Sequence, residues 1–215
     1  MNSEMPSLRN RDRLRAALRA TVGANKRVTT KWSVVTGPPA SGKSTLIAQL
    51  SNLGHQVVTD PAREVLQQRI QRGRSKTEAR SDYLALQAEI LERMLADAQA
   101  LNPAQSVVFD YALPDNLAFL TISGAEWTDE HVRAACYYRY QNVFLLDPVD
   151  RCDDGPDTVR IETKEERWAI HALLQEIYEE LDIPITRLAP IDLRQRLDVV
   201  VRSLAEWQRK EAGAR

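Results

Sequence analysis

Little in this sequence suggests a chain held together by covalent staples or metal. Of its 215 residues only 2 are cysteine, Cys136 and Cys152. Neither has metal-ligand spacing around it, so both are expected to be reduced thiols. The 3 histidines, His55, His131 and His171, are scattered with no partner at ligand spacing, which argues against a zinc site. No apolar run is long enough to cross a bilayer, and the first residues lack the apolar stretch of a secretory signal. A cytoplasmic protein without a membrane partner is expected. The formal net charge is -1, so no global field draws the chain to nucleic acid, and no RNA-binding signature is present. Also absent are the nucleophile pattern G-x-S-x-G, the dinucleotide fingerprint G-x-G-x-x-G and any internal repeat.

What is present is an ordinary globular composition, 43% apolar and 27% charged, in a chain long enough for one large α/β domain. Short β-rich runs alternate with longer helical ones. Strands are predicted at 31–36, 55–59, 106–110, 142–146 and 183–188. Helices are predicted at 43–52, 61–71, 78–100, 115–122, 129–139, 164–181 and 193–207. Leu84, Ala88, Leu91, Met94 and Leu95 are the expected buried stripe of the third helix. Five strands alternating with helices predict a mainly parallel sheet covered on both faces, a three-layer α/β fold. Residues 1–30 read as a basic helical extension of the domain at 31–215. The first 31 residues carry 8 Lys or Arg against 2 acids. Leu14, Ala17, Leu18 and Val22 form a weak stripe there that would dock the helix, and an anionic partner is the alternative.

Chemistry is concentrated in Gly37-Pro38-Pro39-Ala40-Ser41-Gly42-Lys43-Ser44, which satisfies G-x-x-x-x-G-K-[ST] between a predicted strand and a predicted helix. Each residue type answers a physical need. Glycines let the main chain wrap phosphate oxygens closely. The amides from Ala40 to Thr45 become inward donors, and the helix opening at Lys43 adds its positive end. The Lys43 ammonium would reach the β- and γ-phosphates, and the Ser44 hydroxyl would hold magnesium. ATP with magnesium is the expected ligand; no guanine-reading Asn-Lys-x-Asp run is present.

Two acids follow predicted strands. Asp110 would help hold magnesium together with Ser44, or else serve as a strand-end cap. Tyr111 follows it, so the Glu that drives steady ATP hydrolysis is absent at that spot. Asp60, just before Pro61, would orient or deprotonate an acceptor hydroxyl, or else cap the next helix. Arg63 would lie one turn into that helix, near acceptor or phosphate. The segment at 148–167 could fold over the triphosphate as a lid, with Arg151, Arg160 or Arg167 stabilising transferring charge, Arg160 first among them. A second basic stretch, Arg69, Arg72, Arg74, Lys76 and Arg80, reads as a solvated connection or a surface for an anionic acceptor.

The ordered segments Val34-Val-Thr-Gly37 through Thr45, Val57-Val-Thr-Asp60-Pro-Ala-Arg63, Val107-Val-Phe-Asp110-Tyr-Ala-Leu-Pro-Asp115, Tyr140 through Asp147-Pro and Asp157-Thr-Val-Arg160 are similar to the ribosylnicotinamide-kinase-like family of P-loop AAA-domain proteins. The resemblance runs from about Lys31 to Trp207. It implies a nucleotide-kinase-type fold with a lid and ATP with magnesium. It also implies an acceptor site around Asp60 and Arg63, a magnesium acid at Asp110 and a lid arginine at Arg160. Tyr111 and Asp60 depart from that family's pattern, where Arg and Glu are usual. The expected activity is transfer of the γ-phosphoryl group of ATP to a small hydroxyl-bearing acceptor such as a nucleoside, nicotinamide riboside among them. The alternative is a nucleotide-dependent switch acting through protein contacts. The sequence leaves the acceptor and the oligomeric state open.

Overall fold

Residues 8–75, 78–149 and 163–213 are described by a computed structural model. Helix α1 (Leu8–Ala24) and the two-residue strand β1 (Val28–Thr29) precede β2 (Trp32–Thr36). After α2 (Lys43–Asn52), β3 (Val57–Val58) and α3 (Pro61–Gln71), the short α4 (Glu78–Ser81) leads into α5 (Tyr83–Gln99). Next come β4 (Val107–Asp110), α6 (Leu113–Ile122), α7 (Asp129–Tyr137), β5 (Tyr138–Arg139) and β6 (Asn142–Leu146). Helix α8 (Lys164–Glu180), β7 (Ile185–Leu188) and α9 (Leu193–Gly213) follow.

The expected five-stranded sheet has the order β3-β4-β2-β6-β7, with every neighbouring pair parallel. The inner strands β2, β4 and β6 are buried along their whole length, as strands covered on both faces must be. One face packs on α2 and α9 through Leu46, Leu50, Val200 and Leu204. The other carries the larger core, which includes Trp32, Phe109, Leu117, Leu145 and Leu174. The α/β three-layer arrangement read from the alternation of elements is the one observed. Because all five strands run the same way, their carboxyl ends share one edge, where ligands bind in open α/β sheets.

Three local features depart from the sequence reading. The helix predicted over 78–100 breaks at Asp82, whose carboxylate caps α5 by accepting from Ala85 N at 3.1 Å. The buried face of α5 is also rotated: Leu86, Ile90, Leu91, Met94 and Ala98 are inside, while Leu84 and Ala88 are exposed. Both sets have helical spacing, and packing against α3 and α6 selects between them. The helix predicted to run to 139 stops at Tyr137. Tyr138 and Arg139 then pair in parallel with Val28 and Thr29, a two-residue ladder with no periodic signal.

Helix α1 lies on the larger core. Leu14 and Leu18 are fully buried there, with Ala17 and Val22 beside them. Four of its arginines are engaged with other parts of the chain. Arg11 pairs with Glu176, Arg15 Nε lies 2.9 Å from Glu180 Oε1, Arg19 Nη2 lies 2.7 Å from the same oxygen, and Arg13 sits over the Trp127 ring. Of the second basic stretch, Arg69 is buried. It makes two bonds to Glu89 of α5, at 3.0 and 2.8 Å, and a third at 2.9 Å to the Ala79 carbonyl.

Candidate functional site

The loop between β2 and α2 has the backbone that a phosphate cradle needs. Gly37, Ala40 and Gly42 all have positive φ, at 148°, 61° and 91°. At Gly37 a Cβ would come within 2.7 Å of the Leu146 carbonyl of β6, so only glycine lets the loop lie against the sheet. Gly42 is the N-cap of α2, which turns the first amides of that helix toward the loop. Lys43 is buried, and its Nζ donates to the carbonyls of Gly37 at 2.8 Å and Pro38 at 2.7 Å. The ammonium also lies 4.8 Å from the centre of the Tyr111 ring.

Beside this loop lies an open cleft of about 430 Å³ lined by Ser44, Asp60, Arg63 and Asp110, among others. The fold thus brings the proposed magnesium pair and the proposed acceptor pair to one place. Asp110, 6% exposed at the end of β4, has an Oδ1 with no hydrogen-bond partner among the described residues. Burial pushes its carboxyl up to about 6, Lys43 opposing the shift and the neighbouring Asp60 and Asp115 reinforcing it. A buried carboxylate oxygen lacking a donor, in a residue that shares a cleft with Ser44, fits a hard cation that takes few protein ligands and completes its shell with phosphate and water. No cluster of three or more His, Cys, Asp or Glu able to hold a metal occurs among the described residues. Ser44 and Asp110 could hold magnesium only together with a bound phosphate.

Asp60 is the N-cap of α3. Its Oδ1 accepts from Ala62 N at 2.9 Å, and the residue also borders two spaces. One is the cleft with Ser44 and Asp110. The other is a smaller cavity of about 180 Å³ bounded by Gln87, Ile90, Met94, Tyr111, Asp115, Asn116 and Phe119. Burial raises the Asp60 carboxyl above its ordinary value, with the cap bond, Lys43 and Arg63 pulling the other way.

Gln87, Asn116 and Phe119 carried no signal in the sequence, and Tyr111 stood out there only for the residues it replaces. Tyr111 has φ 66°, an outlier for a bulky residue. Its hydroxyl donates to Gly37 O at 3.3 Å, and its ring meets Phe119 edge-on. Asn116 Nδ2 donates to Gln87 Oε1 at 2.8 Å, while its own buried Oδ1 has no partner among the described residues. Asp115, 1% exposed, is the node behind the cavity. It accepts from the Thr36 hydroxyl, from Tyr178 Oη at 2.5 Å and from Ala112 N at 2.7 Å. Burial still outweighs these donors and lifts its carboxyl to about 6. Only the acid three residues into α6, placed to return a bond to its N-cap amide, could have drawn attention to it. Arg196 of α9, buried against the loop, was missed altogether. Of the lid arginines, Arg167 sits in the first turn of α8. Arg151 and Arg160 lie outside the described residues, as does most of the expected lid.

A deoxyadenosine kinase from M. mycoides, solved with the products dCMP and dCDP and again with dATP, superposes with a TM-score of 0.58 at 16% identity. The likeness covers 81% of this chain and 98% of the kinase. The YorR protein of Bacillus subtilis, solved with phosphorylated GDP, gives a TM-score of 0.50 at 17% identity over 83% of this chain and 98% of its own. At such identities these likenesses speak to the fold, which is that of P-loop nucleotide kinases. No curated protein matches the sequence. A family model described as an AAA domain does match, over residues 32–196, from the first residue of β2 to the buried arginine on α9. The chain therefore belongs to this AAA-domain family of P-loop proteins.

Proposed function

We propose that this chain transfers the γ-phosphoryl group of ATP to a hydroxyl of a small acceptor seated in the cavity between α5 and α6. The observation that carries the reading is the position of Asp60: one acidic residue borders both the phosphate-side cleft and the acceptor-sized cavity. The loop amides and Lys43 grip the polyphosphate, and the role of stabilising its charge is given to Arg160, which lies outside the described residues. Ser44 and Asp110 are the residues that would hold magnesium, which when bound neutralises charge on the phosphates. Asp60 takes the hydroxyl proton as the acceptor oxygen bonds to the γ-phosphorus and the bridging oxygen leaves with ADP. Burial favours this base by raising its proton affinity, while Lys43 and Arg63 keep it from being pushed too far.

The walls suit a nucleoside-like acceptor. Tyr111 and Phe119 offer aromatic side chains, and the carboxamides of Gln87 and Asn116 offer polar groups. The switch reading has less support, because the basic α1 helix that would serve a partner is engaged with Glu176 and Glu180.

Asp60→Asn keeps an oxygen for the α3 cap and removes the base. Transfer should fall by roughly 10²–10⁴-fold, with ATP affinity unchanged within a few-fold. ADP release stimulated by a panel of nucleosides, nicotinamide riboside included, together with calorimetry for ATP, measures both. Equal loss of binding and turnover would contradict the role given to Asp60.

A further inference from the structure

Arg196 takes no part in the reaction just described, yet it is one of the most deeply buried charges in the fold, 4% exposed in the first turns of α9. Its Nε donates to the Ala189 carbonyl at 2.7 Å and its Nη1 to the Ser41 carbonyl at 2.5 Å. The same Nη1 would stand 3.3 Å from a Cβ on Gly42. Its Nη2 is buried without a partner, and no carboxylate pairs with it among the described residues. Asp147, whose charge offsets part of the cost, is itself bound to Arg187 at 2.6 Å with His171 Nε2 at 2.9 Å. A buried cation so weakly compensated is costly unless something else uses its field.

The Ser41–Gly42 peptide is where that field acts. In a trans peptide the carbonyl and the following N–H point in opposite directions, and no cis bond occurs among the described residues. Holding Ser41 O on the outside of the loop therefore turns the Gly42 N–H inward. The guanidinium also polarises that peptide, which makes the N–H a stronger donor. We propose that Arg196 is a positioning residue for the phosphate cradle: it aims and charges the Gly42 amide from behind and ties the loop after β7 to the loop after β2. The proposal rests on the reading that the loop binds a triphosphate. It goes further by assigning part of that affinity to a side chain that reaches the phosphate only through a peptide group.

The test compares wild type, Arg196→Met and Arg196→Lys for binding of ATP and of inorganic tripolyphosphate, alongside thermal unfolding. Arg196→Met should weaken both ligands by the same factor, at least tenfold. Arg196→Lys, able to reach one carbonyl, should recover part of that loss. A folded Arg196→Met protein that binds both ligands within twofold of wild type overturns the assignment. So does a loss confined to ATP, which would move the role of Arg196 to the base. If the variants do not fold, nitrogen-15 spectra of the wild type decide. Tripolyphosphate should shift the Gly42 amide and the Arg196 Nε signals in one saturable transition, and a fixed Arg196 signal while Gly42 moves refutes the coupling. Wild type that binds neither ligand instead sinks the proposed function itself.

Discussion

At the scale of single residues, the buried acids behind the phosphate loop set how the protein responds to pH. Asp115 titrates near 6 in the folded chain, above the ordinary carboxylate value, because burial outweighs its three donors. Between those two values the folded state keeps a proton that the unfolded state releases. The stabilisation from this group is complete at low pH and is lost as pH rises through about 6. In Asp115→Asn the decline in stability between pH 4 and 6 should flatten by on the order of 2–3 kcal/mol. Some slope should remain, since Asp110 and Asp60 are shifted the same way. Urea titrations of both proteins across that range measure it, and parallel curves would mean that Asp115 is charged at all these values. The residue scale is also where the sequence was least complete. Lys43, Ser44, Asp60, Arg63 and Asp110 could be named because a short motif and strand ends mark them. Asp115 and Arg196 could not, because their partners Tyr178 and Ser41 lie 63 and 155 positions away along the chain.

Among elements, the α3–α5 contact shows how a cavity wall is fixed. Arg69 of α3 is 2% exposed and depends on Glu89, which is 39% exposed, for two of its three bonds. Removing Glu89 would leave a buried guanidinium with one carbonyl. Breaking a fully buried pair costs about 3–5 kcal/mol; with one partner well solvated, Glu89→Ala should cost about 1–3 kcal/mol. Both helices line the cavity under Asp60, so the same variant should lower acceptor affinity more than ATP affinity. Chemical denaturation and separate binding isotherms check the two parts. Most elements were legible from the sequence because caps and periodicity are local: Pro61 opens α3, Gly42 opens α2, and Ile170, Leu173, Leu174 and Ile177 mark the buried face of α8. The break at Asp82 and the rotated face of α5 were not legible. Leu84 and Leu86 are equally apolar, and only the neighbouring helices distinguish them.

For the molecule as a whole, α1 shares the main core, so loss of its packing should be felt everywhere. Leu18 is fully buried, and Leu18→Ala should cost about 2–5 kcal/mol. Glu180→Ala breaks pairs with Arg15 and Arg19, which are 45% and 64% exposed, and should lower stability by much less than Leu18→Ala. Thermal unfolding should stay a single transition in both variants. A separate early transition in Leu18→Ala would show that α1 melts on its own. The five-stranded sheet and the shared edge of strand ends were legible from the alternation of elements. The lateral order was not, because nothing in a strand's own residues states which strand will lie beside it.

That lateral order has a consequence for the newborn chain. The strand that launches the phosphate loop, β2, lies at the centre of the sheet, yet neither neighbour is the next strand made. Its flanks are β4 and β6, the latter ending at Leu146. A ribosome must therefore extrude some 110 residues past Thr36 before the loop's base is gripped on both sides. Until then the Gly37 backbone has no β6 carbonyl to rest against. Nucleotide capture must thus wait for a strand made long after the loop that carries its signature.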